Sequence, residues 1–265
     1  MRGPEGAGFV YAGMTGRSPV RQSLMSGFAL HTLFDLLAWG AAALAALWLT
    51  RVRKIAFPPV TTELAYVAAL VLGAGTGAVL FGTLNMIVSG VPAVARSIEG
   101  GIAGAILGVE LYKQATGVSL RTGARFALPL AVGVAVGRIG CHLAGLEDFT
   151  HGTPTALPWA HDFGDGVPRH PVQLYESAAM AAFALVYVIK VSNRDAAWID
   201  RGFYLAVGFY GLQRFVWEFF KPYGTILGPF TVFHLLSAVL VAWAVAMLVT
   251  AQHAGDADDR AAAEI

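Results

Sequence analysis

Of the 265 residues, 56% are hydrophobic and 13% charged, with a mean hydropathy of +0.61; a water-soluble domain carries about 25% charged residues, so water is excluded as the main solvent. A formal net charge of +1 with no long run of like charge excludes a broad basic surface, and no nucleic-acid partner is expected. The single cysteine, Cys141, excludes an intrachain disulfide.

Residues 1–24 hold Arg2, Arg17 and Arg21 among many glycines and lack the apolar core of a secretory signal, which predicts a flexible tail. Seven apolar segments long enough to cross about 30 Å of hydrocarbon follow, near 25–49, 63–89, 97–113, 124–145, 173–191, 202–220 and 229–250. The expected fold is therefore all-α: a polytopic membrane protein of seven transmembrane helices around a polar cavity, forming one unit over 25–250. No internal repeat is visible. In the first span His31 and Asp35 lie four residues apart and share a helix face, where they either pair or line a cavity. Arg51, Arg53 and Lys54 beyond it anchor topology.

The third segment is the weakest, because Glu99 and Glu110 lie within or beside it. Gly100, Gly101, Gly104 and Gly108 nevertheless supply a small-residue face for close helix packing. The fourth ends in Gly137-Arg138-Ile139-Gly140. An arginine at the centre of a bilayer costs roughly 2.5–3.5 kcal/mol on insertion scales, so Arg138 either bonds freed backbone carbonyls or lines a functional polar site. Gly137 and Gly140 remove side chains beside it and admit a neighbouring backbone or a ligand. Cys141 reads as a small packing residue.

Residues 146–172, rich in Gly, Pro, His and Asp, form the only long connection and are expected to be an ordered outer cap. His142, His151, His161, Asp148 and Asp162 show no recognised ligand spacing, so no metal and no cofactor are expected. Where this loop meets the fifth span, Pro168-Arg169-His170-Pro171 places Pro171 in the first helical turn and His170 near the N-cap. His170, with Tyr175 and Glu176 behind it, is a candidate general base or ligand-orienting donor as well as a simple cap. Glu176 is placed to hold an arginine from another span, such as Arg138.

In the sixth span Tyr210, Arg214 and Glu218 are spaced by four and Lys221 follows by three, which puts them on one helix face. Arg214 and Glu218 then form either an internal lock or a unit in which Glu218 aims Arg214 at an anionic ligand, whose phosphate the planar guanidinium suits. Residues 251–265 read as a polar tail. Basic residues near span ends separate into Arg51, Arg53, Lys54, Lys113, Arg121, Arg125, Lys190, Arg194, Arg201 and Arg260 on one side, against Arg96, Arg169, Lys221 and the tail arginines on the other. The positive-inside rule then sets the N-terminus outside and the C-terminus in the cytoplasm.

Together, GRIG (137–140), LPW (157–159), PRHPVQLYES (168–177), RFVWEFFK (214–221) and the seven-span order resemble the prolipoprotein diacylglyceryl transferase family of bacterial inner-membrane enzymes. The resemblance runs from about 97 to 250. It implies transfer of a diacylglyceryl group from phosphatidylglycerol to the cysteine thiol of a prolipoprotein signal region, with release of glycerol 1-phosphate. Carried over by motif, it implies catalytic roles for Arg138, Arg214, His170 and Glu218. Gly137, Gly140, Gln173, Tyr175, Glu176, Tyr210, Lys221 and Glu99 would then surround the substrates.

Three departures from the family pattern stand out. Cys141-His142-Leu143-Ala144-Gly145-Leu146 replaces a segment like Asn-Phe-x-Asn-x-Glu, with Glu147 displaced by one. Glu99-Gly100-Gly101 replaces His-Gly-Gly. The usual first-span tyrosine has no clear counterpart except His31 or Asp35. Two alternatives therefore accompany the main reading: a paralogous transferase using the same lipid and another acceptor, and a non-enzymatic anionic-lipid binder or transporter.

Overall fold

The computed structural model describes residues 27–263, with side chains over 29–251. The expected N-terminal tail, with Arg2, Arg17 and Arg21, and the side chain of Arg260 lie outside the described residues. Among the described residues, seven α-helices make up most of the structure: α1 (Gly27–Leu47), α2 (Leu64–Val88), α3 (Ile98–Thr116), α4 (Ala127–Ala144), α5 (Val172–Ser192), α6 (Ala196–Glu218) and α7 (Val232–Ala263). Each falls within one of the seven apolar segments, give or take its ends. α7 is the exception, since helix continues through the polar stretch expected to leave it after residue 250.

Among the described residues, five stretches are long and apolar enough to cross a membrane, those containing α1, α2, α4, α5 and α7. α3 and α6 carry Glu99, Glu110 and Lys113, and Asp200, Arg201, Arg214 and Glu218, respectively. Of these, Glu99, Lys113, Arg214 and Glu218 are buried, whereas Glu110 and Arg201 are half-buried and Asp200 is exposed. Leu36, Trp39, Leu44, Leu72, Leu80, Leu185 and Leu212 are exposed, whereas Glu99, Arg138, Glu176, Arg214, Glu218 and Lys221 are buried. Apolar outside and ionic inside is the reverse of a soluble protein, and it is stable only where hydrocarbon is the solvent.

Local chemistry sets the helix ends. The Ser97 hydroxyl accepts the Gly100 N–H at the start of α3 and Gly117 closes it in the left-handed region at φ 71°. The Asp195 carboxylate caps α6 by accepting from the Trp198 N–H. Pro171 sits at the N-cap of α5, one residue earlier in the helix scheme than expected; His170 is outside the helix.

Small residues dictate which helices touch. An added Cβ at Gly104 would collide with the Gly73 carbonyl oxygen, one at Gly100 with that of Gly77, and one at Gly108 with that of Ala69. α2 and α3 are thus an antiparallel pair in backbone contact. Gly104→Ala is expected to push the pair apart and lower the detergent-state melting temperature. Gly75→Ala, where nothing lies within 4 Å, is the control and should leave it unchanged. Equal melting of the two variants would sink the account.

Between α4, α5, α6 and α7 the packing is apolar, through Leu128, Ala131, Val134, Met180, Phe183, Val207, Tyr210 and Leu240. At one end of the bundle Arg53 donates to the Ser192 carbonyl at 2.6 Å and Arg121 to the Met247 carbonyl at 2.8 Å. A cavity of about 240 Å³ opens beside Tyr66, Ile106, Phe126, Leu130, Phe203 and Trp243. It is apolar and lies toward this basic end. The buried ionic residues lie toward the opposite end and bond one another.

The connection after α4 is ordered. A single 3-10 turn, Gly145–Asp148, leads into a small antiparallel hairpin of β1 (His161–Asp162) and β2 (Pro168–Arg169), with His161 opposite Arg169. The Asp162 carboxylate accepts the N–H groups of Gly164, Asp165 and Gly166. The Arg169 guanidinium holds the Asp165 carboxyl down at about 2. Because the folded value is depressed, this pair is lost only as pH falls toward 2 and persists at neutrality. A second hairpin, β3 (Thr225–Leu227) with β4 (Phe230–Thr231), joins α6 to α7.

Candidate active site

Arg138 of α4 and Arg214 of α6 converge on the carboxylate of Glu176 from α5. Arg138 approaches Oε2 through its Nε; Arg214 donates from Nη1 to Oε1 at 2.5 Å, and Lys221 donates to the same oxygen at 2.8 Å. Arg214 uses its other nitrogens too. Nε donates to Glu99 at 3.2 Å, and Nη2 lies 3.0 Å from Glu218.

Hydroxyls complete the network. Ser237 donates to Glu99 at 2.6 Å and Thr231 to Glu218 at 2.8 Å. Arg138 is 4% exposed, Arg214 2% and Glu176 0%. Three cations and three carboxylates are thus withdrawn from solvent together, which is tolerable only because each has an oppositely charged neighbour.

Under either expectation for Arg214, an internal lock or a ligand-facing arginine aimed by Glu218, its three nitrogens each meet a carboxylate. Glu218 does hold it, but Glu99 and Glu176 hold it as well. Arg138 differs: besides Glu176 its described contact is the Cys141 thiol, 3.9 Å from Nη1. Of the two guanidiniums it is the one less taken up by carboxylates.

The remaining expected site residues separate into three groups. Tyr210 is buried among the ionic groups with its hydroxyl unpaired. Gln173, also buried, donates to Thr150 at 3.3 Å. Gly140 makes room for Phe34 of α1 and not for a ligand, since an added Cβ would overlap that ring's Cβ; Gly137 faces Ala38 at ordinary contact distance. His170 stands apart, half-buried under the cap. Its Nδ1 is 3.5 Å from the Tyr175 hydroxyl and its ring packs on Phe220. The Tyr175 hydroxyl also accepts from the Trp159 indole at 2.8 Å, so the LPW and PRHPVQLYES motifs meet in space.

Sequence reasoning missed Ser237 and Thr231, whose only signal was a hydroxyl on an otherwise apolar stretch. It also missed that Cys141, read as packing, lies 3.8 Å from His31, and that Asp148 reaches the same histidine.

A protein-family model described as prolipoprotein diacylglyceryl transferase matches residues 29–250. The chain belongs to the prolipoprotein diacylglyceryl transferase family. Among similar curated proteins, the phosphatidylglycerol–prolipoprotein diacylglyceryl transferase of Geobacter sulfurreducens is 33% identical over 202 residues, 70% of this chain and 76% of the relative. The protein of the same name from Bordetella parapertussis is 35% identical over 138 residues, half of each chain. That from Methylocella silvestris is 34% identical over 166 residues, 58% of this chain and 59% of the relative.

The match thus spans three quarters of one relative's length and less than two thirds of the other two. Membership in the diacylglyceryl transferase family makes this a multi-pass bacterial membrane protein and a transferase, and places the four motifs and the buried ionic network inside the family region.

Proposed function

We propose that this chain moves a diacylglyceryl group from phosphatidylglycerol to the cysteine thiol of a prolipoprotein signal region. The bond between the glyceryl carbon and the phosphate oxygen breaks, the sulfur–carbon bond forms, the electron pair departs with glycerol 1-phosphate, and the thiol proton is lost. All seven helices span the bacterial inner membrane as one unit over 25–250. The N-terminus is outside and the C-terminus cytoplasmic, with 146–172 capping the outer end.

The observation that carries the reading is the meeting of Arg138 and Arg214, from two helices, on one carboxylate. Charge builds on the departing phosphate, and a preorganised guanidinium in a low-dielectric site stabilises it at little reorganisation cost. Arg138 is the donor to phosphate. Arg214 is the positioning residue, fixed by Glu99, Glu176 and Glu218, and with Lys221 it keeps the site cationic beside Arg138. Tyr210 and Gln173 border the lipid side. His170 and Tyr175, under Trp159 and the cap, form the acceptor side, while Gly137 and Gly140 set the approach of α1 to α4.

Purified protein incubated with glycerol-labelled phosphatidylglycerol and a lipobox peptide should add diacylglyceryl to the peptide cysteine and release labelled glycerol phosphate. No transfer beside an active control enzyme would refute the reading. A second reading, the same lipid donor with another acceptor, is favoured by one observation: the residue after Gly140 is a thiol facing Arg138 and His31. Glycerol phosphate release that is independent of the peptide would select it.

A further inference from the structure

We propose that His31, Cys141 and Asp148 form a binding site for a divalent transition ion of the zinc class. They come from three segments: α1, the end of α4 and the 3-10 turn after it. His31 Nε2 lies 3.8 Å from Cys141 Sγ and 3.1 Å from Asp148 Oδ1, and the three ligand atoms all lie within 4.8 Å of one another. Bond lengths of about 2.0–2.3 Å to nitrogen, oxygen and sulfur at tetrahedral angles separate ligand atoms by roughly 3.3–3.6 Å. The two spacings from His31 need shifts of only tenths of an ångström to meet that, and the Cys141–Asp148 pair, within 4.8 Å, has to close by at most about 1.3 Å.

The surroundings are those of a ligand set. Asp35 Oδ2 lies 3.2 Å from His31 Nδ1, the carboxylate–histidine arrangement that fixes a ligating imidazole with Nε2 toward the ion. Asp148 keeps Oδ1 toward His31 while its Oδ2 accepts from Thr150 at 2.6 Å, and Thr150 is in turn held by Gln173. Thiolate, imidazole and carboxylate together suit zinc better than calcium or magnesium.

The site also balances in charge, one dication against one thiolate and one carboxylate. The Arg138 Nη1, 3.9 Å from Sγ, is then a donor to a metal-bound thiolate. The His31 and Asp148 side chains are 28% and 13% exposed, which leaves an entry path.

Without an ion the same three groups are joined by hydrogen bonds alone, with His31 between Asp35 and Asp148 and the Cys141 thiol 3.8 Å from its Nε2. The two states differ in a spectrum. Three protein ligands leave a fourth position open. Resting on the transferase reading, that position is where an acceptor thiol would give its proton to solvent on binding, since a coordinated thiol is deprotonated outright. The ion-binding claim stands without this.

The test uses the full chain in detergent, purified on a metal-free affinity tag. Elemental analysis is expected to find about one zinc per chain. After removal of zinc, added Co²⁺ should produce a thiolate-to-cobalt charge-transfer band. Cys141→Ser, a near-isosteric change, should abolish the band, and Asp148→Asn should weaken it. Asp35→Asn should raise the Co²⁺ dissociation constant roughly 10–100-fold. Helix content by circular dichroism should be retained in all three. A wild-type protein with no stoichiometric metal and no band with Co²⁺, or a band that survives in Cys141→Ser, overturns the proposal. Because these arms use the ion alone, their failure is separable from failure of lipid transfer.

Discussion

Arg214→Ala is expected to prevent accumulation of folded protein, where a phosphate ligand alone would have lost only its activity. The reason lies in how its three nitrogens are used. Nε, Nη1 and Nη2 each face a different buried carboxylate, on α3, α5 and α6. Removing the guanidinium leaves Glu176 with Arg138 and Lys221, but it leaves Glu99 only Ser237 and Glu218 only Thr231.

Two carboxylates would then be buried without a counter-charge. Breaking even one buried pair from one side costs about 3–5 kcal/mol, comparable with the whole stability of a domain. Membrane-fraction yield and size-exclusion profile in detergent measure the outcome. A monodisperse Arg214→Ala protein with wild-type melting would show that the carboxylates are not held as described. Arg214→Lys should fall between, since one ammonium cannot address three separated carboxylates at once.

Arg138→Ala is expected to do the reverse, sparing the fold and removing the chemistry. Glu176 loses one of three cations and keeps Arg214 and Lys221, so no carboxylate is stranded. What is lost is the donor proposed to face the departing phosphate. Removing one such preorganised donor typically lowers turnover about 10²–10³-fold. Transfer of labelled diacylglyceryl to a lipobox peptide, at matched amounts of folded protein, checks this. Turnover within a few-fold of wild type would remove Arg138 from the chemistry, and loss of fold equal to that of Arg214→Ala would assign it to structure. The contrast between the variants separates a catalytic arginine from a positioning one.

The helices were legible because an apolar run of spanning length has few other uses, and even the weak third segment was rescued by its glycines, which meet Gly73, Gly77 and Ala69 of α2. The arginines were legible for the converse reason: a charge in such a run needs an explanation. The partners were not. Glu176 could be suspected of holding an arginine, yet nothing in its local pattern indicates that Arg138, Arg214 and Lys221 share it, because they arrive from 38 and 45 residues away in chain for the latter two.

Thr231 and Ser237 gave no signal beyond being hydroxyls. The His31, Cys141 and Asp148 grouping was invisible to a search by ligand spacing, since His31 and Cys141 are 110 residues apart. The two-residue strands of the cap are too short for alternation to register. Periodicity reports which face is greasy; only the fold reports which charges face each other.

Arg53, at the end of the first apolar run, is bonded to the Ser192 carbonyl, 139 positions away. Arg121 likewise reaches Met247, 126 positions on. Neither acceptor exists when its arginine is synthesised. Each clasp can therefore close only once its acceptor's helix has been made, that of Arg53 after α5 and that of Arg121 after α7.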